Sequence, residues 1–216
     1  MQLCVLDNTD MKTNSTIRIL LLLLAGAATQ SLAQSPASWS TDYYDGGLPG
    51  ARVRIDVFSD YQCPACRTFY LQTVRNVLDT YGRDNRVNVV YHDFPLQMHP
   101  YAREAARYAL AGRRLGPEQW KALTDALYFR QAEWSSNGRI DMVASEALSP
   151  QDYARLRELL RDPSIDESLE KELALGRALQ VNSTPTFFIV ANGLSQRVVG
   201  GVPLTVLESY VNRLLK

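Results

Sequence analysis

The stretch Cys63-Pro64-Ala65-Cys66 places two thiols three positions apart, directly after a segment that alternates apolar and polar residues. Side chains three positions apart on a helix share one face, so these sulfurs are close enough to form and break a disulfide. A pair with this spacing also occurs as half of a zinc site or as a structural disulfide. The motif alone therefore leaves three interpretations open, and other parts of the chain must distinguish them.

Residues 1–33 have the pattern of a secretory signal peptide. Basic residues precede an apolar run over residues 19–28, and Ser31-Leu32-Ala33 offers a small-x-small cleavage site. The run is too short for a membrane span, which needs about 20 apolar residues. Because the residues before Met11 include acidic ones, we predict Met11 as the true start and the periplasm or another extracytoplasmic space as the location. An uncleaved membrane anchor is the alternative.

Removal of this signal takes away Cys4 and leaves Cys63 and Cys66 as the only thiols of the mature chain. An exported protein meets an oxidising compartment, in which disulfides persist. A bridge between residues three apart closes too small a loop to stabilise a fold of this size appreciably. The sequence therefore predicts that the pair reacts with other proteins and does not brace the fold.

The charge of the chain is balanced, with 23 Lys and Arg residues against 23 Asp and Glu residues in 216 positions. Such a balance gives no electrostatic reason to expect nucleic acid or an anionic membrane as a partner. The length suits one domain with an insertion.

Strand patterns stand on both sides of a long helical region. Alternating or continuous apolar residues predict strands at 52–58, 86–91, 186–190 and 196–199. Helical spacing predicts a helix over 70–81, and Ser149 and Ser164 are predicted helix caps. We therefore predict an α/β fold in which a small mixed sheet is flanked by helices. Its domains are a sheet domain formed by residues 51–98 and 180–216, an all-helical insertion at 99–179, and an N-terminal arm at 34–50.

Cys63 stands where the first predicted strand gives way to a helix. Free backbone N–H groups and the positive end of the helix dipole favour a thiolate at such a terminus. They can lower a thiol pKa from about 8.5 to between roughly 3.5 and 7.5. Cys63 is better placed for this than Cys66, so we assign Cys63 as the nucleophile and Cys66 as the resolving thiol. Pro64 suits the first helical turn, where its missing N–H would have no partner.

A second element is Thr184-Pro185, which stands directly before the apolar strand at 186–190. Proline cannot donate to the hydrogen-bond ladder of a sheet, and the bond before proline is where a cis peptide costs least. If this segment lies beside the cysteines, its chain could pair with an extended substrate backbone. An ordinary turn proline is the alternative.

Three segments in this order resemble the DsbA-like branch of the thioredoxin superfamily. They are Phe58-Ser59-Asp60-Tyr61-Gln62-Cys63-Pro64-Ala65-Cys66, then Tyr91-His92-Asp93-Phe94-Pro95-Leu96 with His99-Pro100, and then Val181-Asn182-Ser183-Thr184-Pro185-Thr186-Phe187-Phe188-Ile189; Val199-Gly200-Gly201-Val202-Pro203 fits as well. The resemblance spans about residues 50–216. It implies a thioredoxin-like fold interrupted by a helical domain, with dithiol–disulfide exchange that needs no cofactor beyond the Cys63–Cys66 disulfide. It also implies a cis Pro185 that faces the cysteines, a contact of Thr184 with substrate backbone, and a membrane quinone-linked partner that reoxidises the pair.

Two positions depart from the pattern of that family. DsbA itself carries a histidine where Ala65 stands, so the helix and the backbone alone are expected to stabilise the thiolate here. Many relatives have a buried acid where this chain has Val57, and Asp56 is expected to point to the opposite face of the strand. Proton transfer would then run through water or through Asp60. Because a nearby carboxylate raises a thiol pKa, we assign Asp60 a structural role instead.

Competing functions remain on the sequence alone. A zinc site needs about four ligands, and His92 and His99 match no known spacing with the cysteine pair. A monomeric oxidase that acts on unfolded or reduced secreted proteins is preferred. The resembling isomerases carry an N-terminal dimerisation domain, and only the 17 residues from 34 to 50 precede the first strand here. A disulfide reductase or isomerase is the alternative, because the sequence does not fix the reduction potential. A chaperone-like binding module with an incidental disulfide is less favoured.

Overall fold

The computed structural model, which describes residues 50–81 and 86–216, contains a four-stranded mixed sheet. Its strands are β1 (Val53–Ser59), β2 (Val87–Asp93), β3 (Thr186–Ala191) and β4 (Leu194–Val199). They lie in the order β2-β1-β3-β4, with β1 parallel to β2 and antiparallel to β3, and with β3 antiparallel to β4. The predicted signal peptide, the predicted start at Met11 and arm residues 34–49 lie outside the described residues.

Helices cover the sheet and fill the long connection between β2 and β3. They are α1 (Pro64–Phe69), α2 (Arg75–Tyr81), α3 (Ala102–Leu115), α4 (Pro117–Phe129), α5 (Gln131–Trp134), α6 (Ile140–Ala147), α7 (Pro150–Leu159), α8 (Ser164–Ala178) and α9 (Leu204–Leu214), and a π-helical turn, Tyr70–Val74, joins α1 to α2. The predicted fold class, a mixed sheet flanked by helices, is confirmed. The division into domains after residues 98 and 179 stays a prediction. Within residues 50–81 and 86–216, no helix is both long and apolar enough to cross a bilayer.

Strand β1 is buried on both faces and divides the apolar core in two. Its alternate residues Val53, Ile55 and Val57 belong to the main cluster, together with apolar side chains of α1, α2, α4 and α9. Phe58 points the other way and packs with Phe94, Val181 and Phe188, against which leucines of α8 lie. Residues one apart on a strand face opposite sides, so the alternating pattern in the sequence decided which side chains face each cluster.

Asp56 lies on the face of β1 opposite to Val57, as the alternation predicted, and it is fully buried. Its carboxylate accepts a hydrogen bond from Arg54 Nε at 2.9 Å and lies 3.2 Å from His92 Nε2. The His92 ring in turn stacks on Phe58, with ring centroids 4.5 Å apart. A buried carboxylate requires such partners. Asp56 therefore joins β1 to β2 and takes no part at the cysteines.

The two predicted helix caps have different outcomes. Ser149 is the N-cap of α7, and its side chain accepts a hydrogen bond from the backbone N–H of Asp152 at 3.1 Å. The prediction for Ser164 is wrong by one position, because Pro163 is the N-cap of α8 and Ser164 is the first helical residue. The carboxylate of Asp162 accepts from the Ser164 N–H at 2.9 Å instead. A backbone N–H at the start of α8 is thus satisfied by a carboxylate two residues upstream and not by the serine hydroxyl.

Helix α8 lies close to the loop that follows β2. Gly176 makes this possible, because a Cβ at this position would collide with the ring of Phe94. Phe94 begins the loop that returns to the segment before the cysteines, so this approach helps to position the candidate site.

Candidate active site

The two cysteines lie where β1 gives way to α1. Cys63 is the N-cap of α1 in an extended conformation (φ −74°, ψ 122°), and Cys66 lies in the first turn of that helix. Both are free thiols. Cys63 is 7% exposed and Cys66 is fully buried, whereas Pro64 and Ala65 between them are exposed. Of the two sulfur-bearing residues, only Cys63 therefore reaches the surface.

Hydrogen bonding and burial separate the acidities of the two thiols. A hydrogen bond from the Cys66 thiol, with smaller contributions from backbone N–H groups and from Thr184, lowers the pKa of Cys63 from 9.0 to about 6 against the opposing effect of burial. Burial, and then the neighbouring Cys63, raise the pKa of Cys66 well above 9.0. The lowered pKa at the helix terminus agrees with the sequence analysis. The expectation that the helix and the backbone alone provide it is wrong, because the Cys66 thiol contributes most.

The Thr184-Pro185 segment lies against Cys63. Its peptide bond is cis, and Cys63 Sγ lies 3.5 Å from the Thr184 carbonyl oxygen. The Pro185 carbonyl accepts a hydrogen bond from the Gly200 N–H at 2.8 Å, which ties the segment to the end of β4. The Thr184 hydroxyl is buried and has no hydrogen-bond partner among the described residues. Two elements 121 residues apart in the sequence thus meet at one place.

Asp60 connects the loop before the cysteines to the loop after β2. Its carboxylate accepts from the backbone N–H of Gln62 at 2.7 Å, from that of Leu96 at 2.8 Å, and lies 2.7 Å from His99 Nδ1. The carboxylate oxygens of Asp60 thus bond to these nitrogen atoms and not to a cysteine sulfur. Its backbone N–H faces Cys66 Sγ at 3.5 Å. The contacts support the structural role assigned to this carboxylate.

A family model described as Thioredoxin matches residues 41–196. The chain belongs to the thioredoxin family. Within that family it is similar to the "Probable disulfide bond formation protein D" of Bacillus cereus, with 22% identity over 153 residues that make up 68% of this chain and 69% of the relative.

Solved structures place this thioredoxin-family chain beside the DsbA proteins. Pseudomonas aeruginosa DsbA2 matches at 26% identity with a TM-score of 0.60, over 78% of this chain and 92% of that one. Wolbachia pipientis alpha-DsbA1 shares the fold with a TM-score of 0.65 at 17% identity, over 78% and 88% of the two chains. The chain is therefore a protein disulfide oxidoreductase of the DsbA type. Enzymes of this type use a redox-active cysteine pair without an external cofactor, act on substrate proteins and are reoxidised by a partner.

Beside Cys66 this DsbA-type enzyme has a row of buried hydroxyls that the sequence patterns did not single out. Ser59 Oγ lies 2.8 Å from the Tyr128 hydroxyl, which lies 2.6 Å from the Tyr91 hydroxyl. We call these three groups the hydroxyl chain; each residue is at most 1% exposed. Tyr128 comes from α4, and no local signal in the sequence places it against the end of β1.

Side-chain amides hold the cysteine loop on the helical region, and these too were missed. Gln131 Nε2 donates to the carbonyls of Tyr61 at 2.7 Å and of Cys63 at 3.1 Å. Gln62 Nε2 donates to the Ser135 carbonyl at 2.8 Å. The helical region between β2 and β3 therefore fixes the backbone at the nucleophile, although its residues lie about 70 positions away.

No group of three or more His, Cys, Asp or Glu side chains in the described part of the chain is placed to hold a metal ion. His92 lies within β2 and faces Asp56, and His99 lies in the following loop and faces Asp60. Each histidine is thus engaged by an acid of the β1 segment.

We expect alkylation of the reduced enzyme by iodoacetamide to modify Cys63 and to follow a titration with a midpoint of about pH 6. The thiolate is the reacting form, so the rate reports the ionised fraction of Cys63. Rates are measured by quenching at intervals and quantifying the labelled peptide by mass spectrometry. The Cys63→Ser variant of residues 34–216, in which the buried Cys66 is the remaining thiol, should react slowly throughout the neutral range. A midpoint near 9.0, the ordinary value, or equal labelling of both cysteines would contradict the prediction.

Proposed function

We propose that this enzyme is an exported dithiol oxidase that introduces disulfides into secreted proteins through Cys63-Pro64-Ala65-Cys66. The observation that carries the proposal is the contrast between the two thiols, in which a buried Cys66 hydrogen-bonds to an acidic Cys63. These interactions stabilise the reduced enzyme, and an enzyme whose reduced form is stabilised gives up its disulfide readily. The name of the Bacillus cereus relative, a disulfide bond formation protein, supports the same direction.

In the proposed reaction a substrate thiolate attacks Cys63 Sγ. The Cys63–Cys66 bond breaks, its electron pair passes to the Cys66 sulfur, and that sulfur takes up a proton. A second substrate thiolate then attacks the substrate sulfur of the mixed disulfide and releases Cys63 as a thiolate. The substrate loses two electrons and two protons; Cys66 keeps one proton, and the other goes to solvent because Cys63 stays ionised at neutral pH.

We propose that Thr184 and Pro185 hold the substrate chain during this exchange. The Thr184 carbonyl lies beside Cys63 Sγ, so an extended segment that pairs with the backbone there would carry its cysteine to the reacting sulfur. Pro64 and Ala65 are exposed, small in profile and uncharged, and leave room for such a segment.

We also infer where the enzyme acts and which partners it has. The predicted signal peptide supports export to the periplasm or another extracytoplasmic space, where reduced secreted proteins would be the substrates. We propose a monomer that is reoxidised by a membrane quinone-linked partner, as the family resemblance implies.

The reduction potential decides between this function and a disulfide reductase or isomerase. The mature protein (residues 34–216) is equilibrated in a series of glutathione buffers, and its oxidised fraction is quantified after acid trapping. We expect a potential well above that of thioredoxin, about −270 mV, and towards that of DsbA, about −120 mV. We also expect the oxidised enzyme to restore activity to a reduced, unfolded substrate. A reduction potential close to that of thioredoxin, with rapid insulin reduction and no oxidative refolding, would refute the oxidase proposal.

A further inference from the structure

The proposed exchange requires the Cys66 thiol to ionise although it lies inside the core. It becomes a thiolate whenever the Cys63–Cys66 bond breaks, and it must become one again when the pair is reoxidised. Yet Cys66 is fully buried, and Val57, where the family resemblance described above implies a buried acid, is an apolar core residue. A buried charge is costly unless hydrogen bonds compensate for it.

The groups that face Cys66 come from several elements of the fold. The Asp60 N–H lies 3.5 Å from its Sγ, and Cys63 and Thr184 act on it from the surface side. The buried hydroxyl of Ser59, the residue before Asp60, lowers the pKa of Cys66 and so favours its ionised form. The titratable groups on the buried side are the phenols of Tyr91 and Tyr128, both of which sense the charge on Cys66. Among these groups, the ones inside the core are neutral hydroxyls.

The hydroxyl chain has the polarity that a thiolate needs. In both of its hydrogen bonds either oxygen can be the donor. Tyr91 can therefore donate to Tyr128, Tyr128 to Ser59, and Ser59 to the sulfur, so that three dipoles point at the negative charge. Burial raises the pKa of both phenols well above 10.0, which keeps them protonated as donors. Hydrogen bonds aligned in this way strengthen one another in a medium of low dielectric constant.

We propose that the hydroxyl chain Ser59–Tyr128–Tyr91 stabilises the Cys66 thiolate through hydrogen bonds that are all donated towards the sulfur. In this arrangement Ser59 donates to the Cys66 sulfur once that sulfur is ionised, and Tyr128 and Tyr91 are positioning residues that act through Ser59. The inference rests on the proposed dithiol–disulfide exchange but not on its direction. During reoxidation by a disulfide, Cys63 first forms a mixed disulfide. Cys66 then loses its proton to solvent and attacks Cys63 Sγ, and the electron pair of the mixed disulfide leaves on the sulfur of the partner.

The second of these steps tests the proposal. Reduced enzyme is mixed with oxidised glutathione, samples are trapped with acid, and the adduct of Cys63 with glutathione is followed by mass spectrometry. The decay of this adduct requires the Cys66 thiolate, so its rate should fall about tenfold for each unit by which the Cys66 pKa rises. We expect a fall of about tenfold or more in Ser59→Ala and of severalfold in Tyr128→Phe. The alkylation rate of Cys63 at neutral pH should change less than twofold in both, since Cys66 still donates to Cys63.

Matched variants separate this role from simple packing. The Tyr70 ring stacks on Tyr128 with centroids 4.8 Å apart, but its hydroxyl donates to Asp125 at 2.9 Å. Tyr70→Phe should therefore leave the decay rate unchanged, and Ser59→Thr, which keeps a hydroxyl, should restore most of it. Wild-type decay in both Ser59→Ala and Tyr128→Phe, or equal slowing in Tyr70→Phe, would overturn the proposal. Failure of the wild-type adduct to decay at all would instead refute the exchange function.

Discussion

Cys63→Ser should lose all thiol–disulfide exchange, whereas Cys66→Ser should lose disulfide donation but still trap a disulfide-containing protein as a mixed disulfide on Cys63. Of the two cysteines only Cys63 reaches the surface, at 7% exposed, and its thiol is ionised at neutral pH because its pKa is lowered to about 6. Without it no substrate sulfur can be bound. Without Cys66 the Cys63 thiolate still attacks a substrate disulfide, but no resolving thiol releases the product. Cys66→Ser should therefore accumulate a mixed disulfide with substrate, visible as a species that reductant removes on a non-reducing gel.

Thr68→Ser serves as the control, because Thr68 is an exposed residue of the same helix whose hydroxyl bonds only to the Pro64 carbonyl in the contacts seen here. It should retain the wild-type rate of oxidative refolding. Full activity of Cys63→Ser would mean that the protein acts as a chaperone-like binding module with an incidental disulfide. Accumulation of the mixed disulfide on Cys63→Ser in place of Cys66→Ser would reverse the roles assigned to the two cysteines.

The parts of the site that could be predicted from the sequence depend on short-range rules. The alternation of β1 located Val57 and Asp56 on opposite faces, and the strand-to-helix transition located Cys63 at a helix terminus. Spacing along a single element decides such features, so the sequence pattern carries them directly. The position of Pro185 beside the cysteines required the resemblance to a known family, because a proline before a strand has several uses.

The rest depends on contacts between distant elements, which no local pattern reports. Tyr128 reaches Ser59 across 69 positions of sequence, and Gln131 reaches the carbonyl of Cys63 across 68. An aromatic residue in the core and a polar residue on a helix are common in any fold, so their residue types alone did not mark them as parts of the site. Only the packing of α4 and α5 against β1 and α1 gives them a place at the site. The same holds for Cys66, whose donation to Cys63 depends on the orientation of both side chains.

A buried network of charges joins the helical region to the end of β2, and its central residue is Arg113. Arg113 Nη1 donates to Glu172 at 2.7 Å, and Nη2 donates to the Tyr91 carbonyl at 2.7 Å and lies 3.4 Å from the Asp93 carboxylate. Glu172 also accepts from the Asp93 N–H. The three side chains are 7%, 2% and 0% exposed, for Arg113, Glu172 and Asp93 in that order. One cation thus holds two buried carboxylates of α8 and β2 beside the strand that carries Tyr91.

Arg113→Met should therefore lower the free energy of unfolding by about 3–5 kcal/mol, the usual cost of leaving a buried charge without its partner. Methionine keeps much of the apolar stem, so the loss reports the charge more than the packing. Chemical denaturation of the reduced protein measures it. The neighbouring Arg114 pairs with Asp162 at the surface, where ion pairs contribute little, and Arg114→Met should change stability far less. A loss of less than about 1 kcal/mol in Arg113→Met would mean that water or other groups compensate Glu172 and Asp93. A large loss would show that the helical region is anchored to the sheet through this cation, directly behind the strand that supplies Tyr91 to the hydroxyl chain.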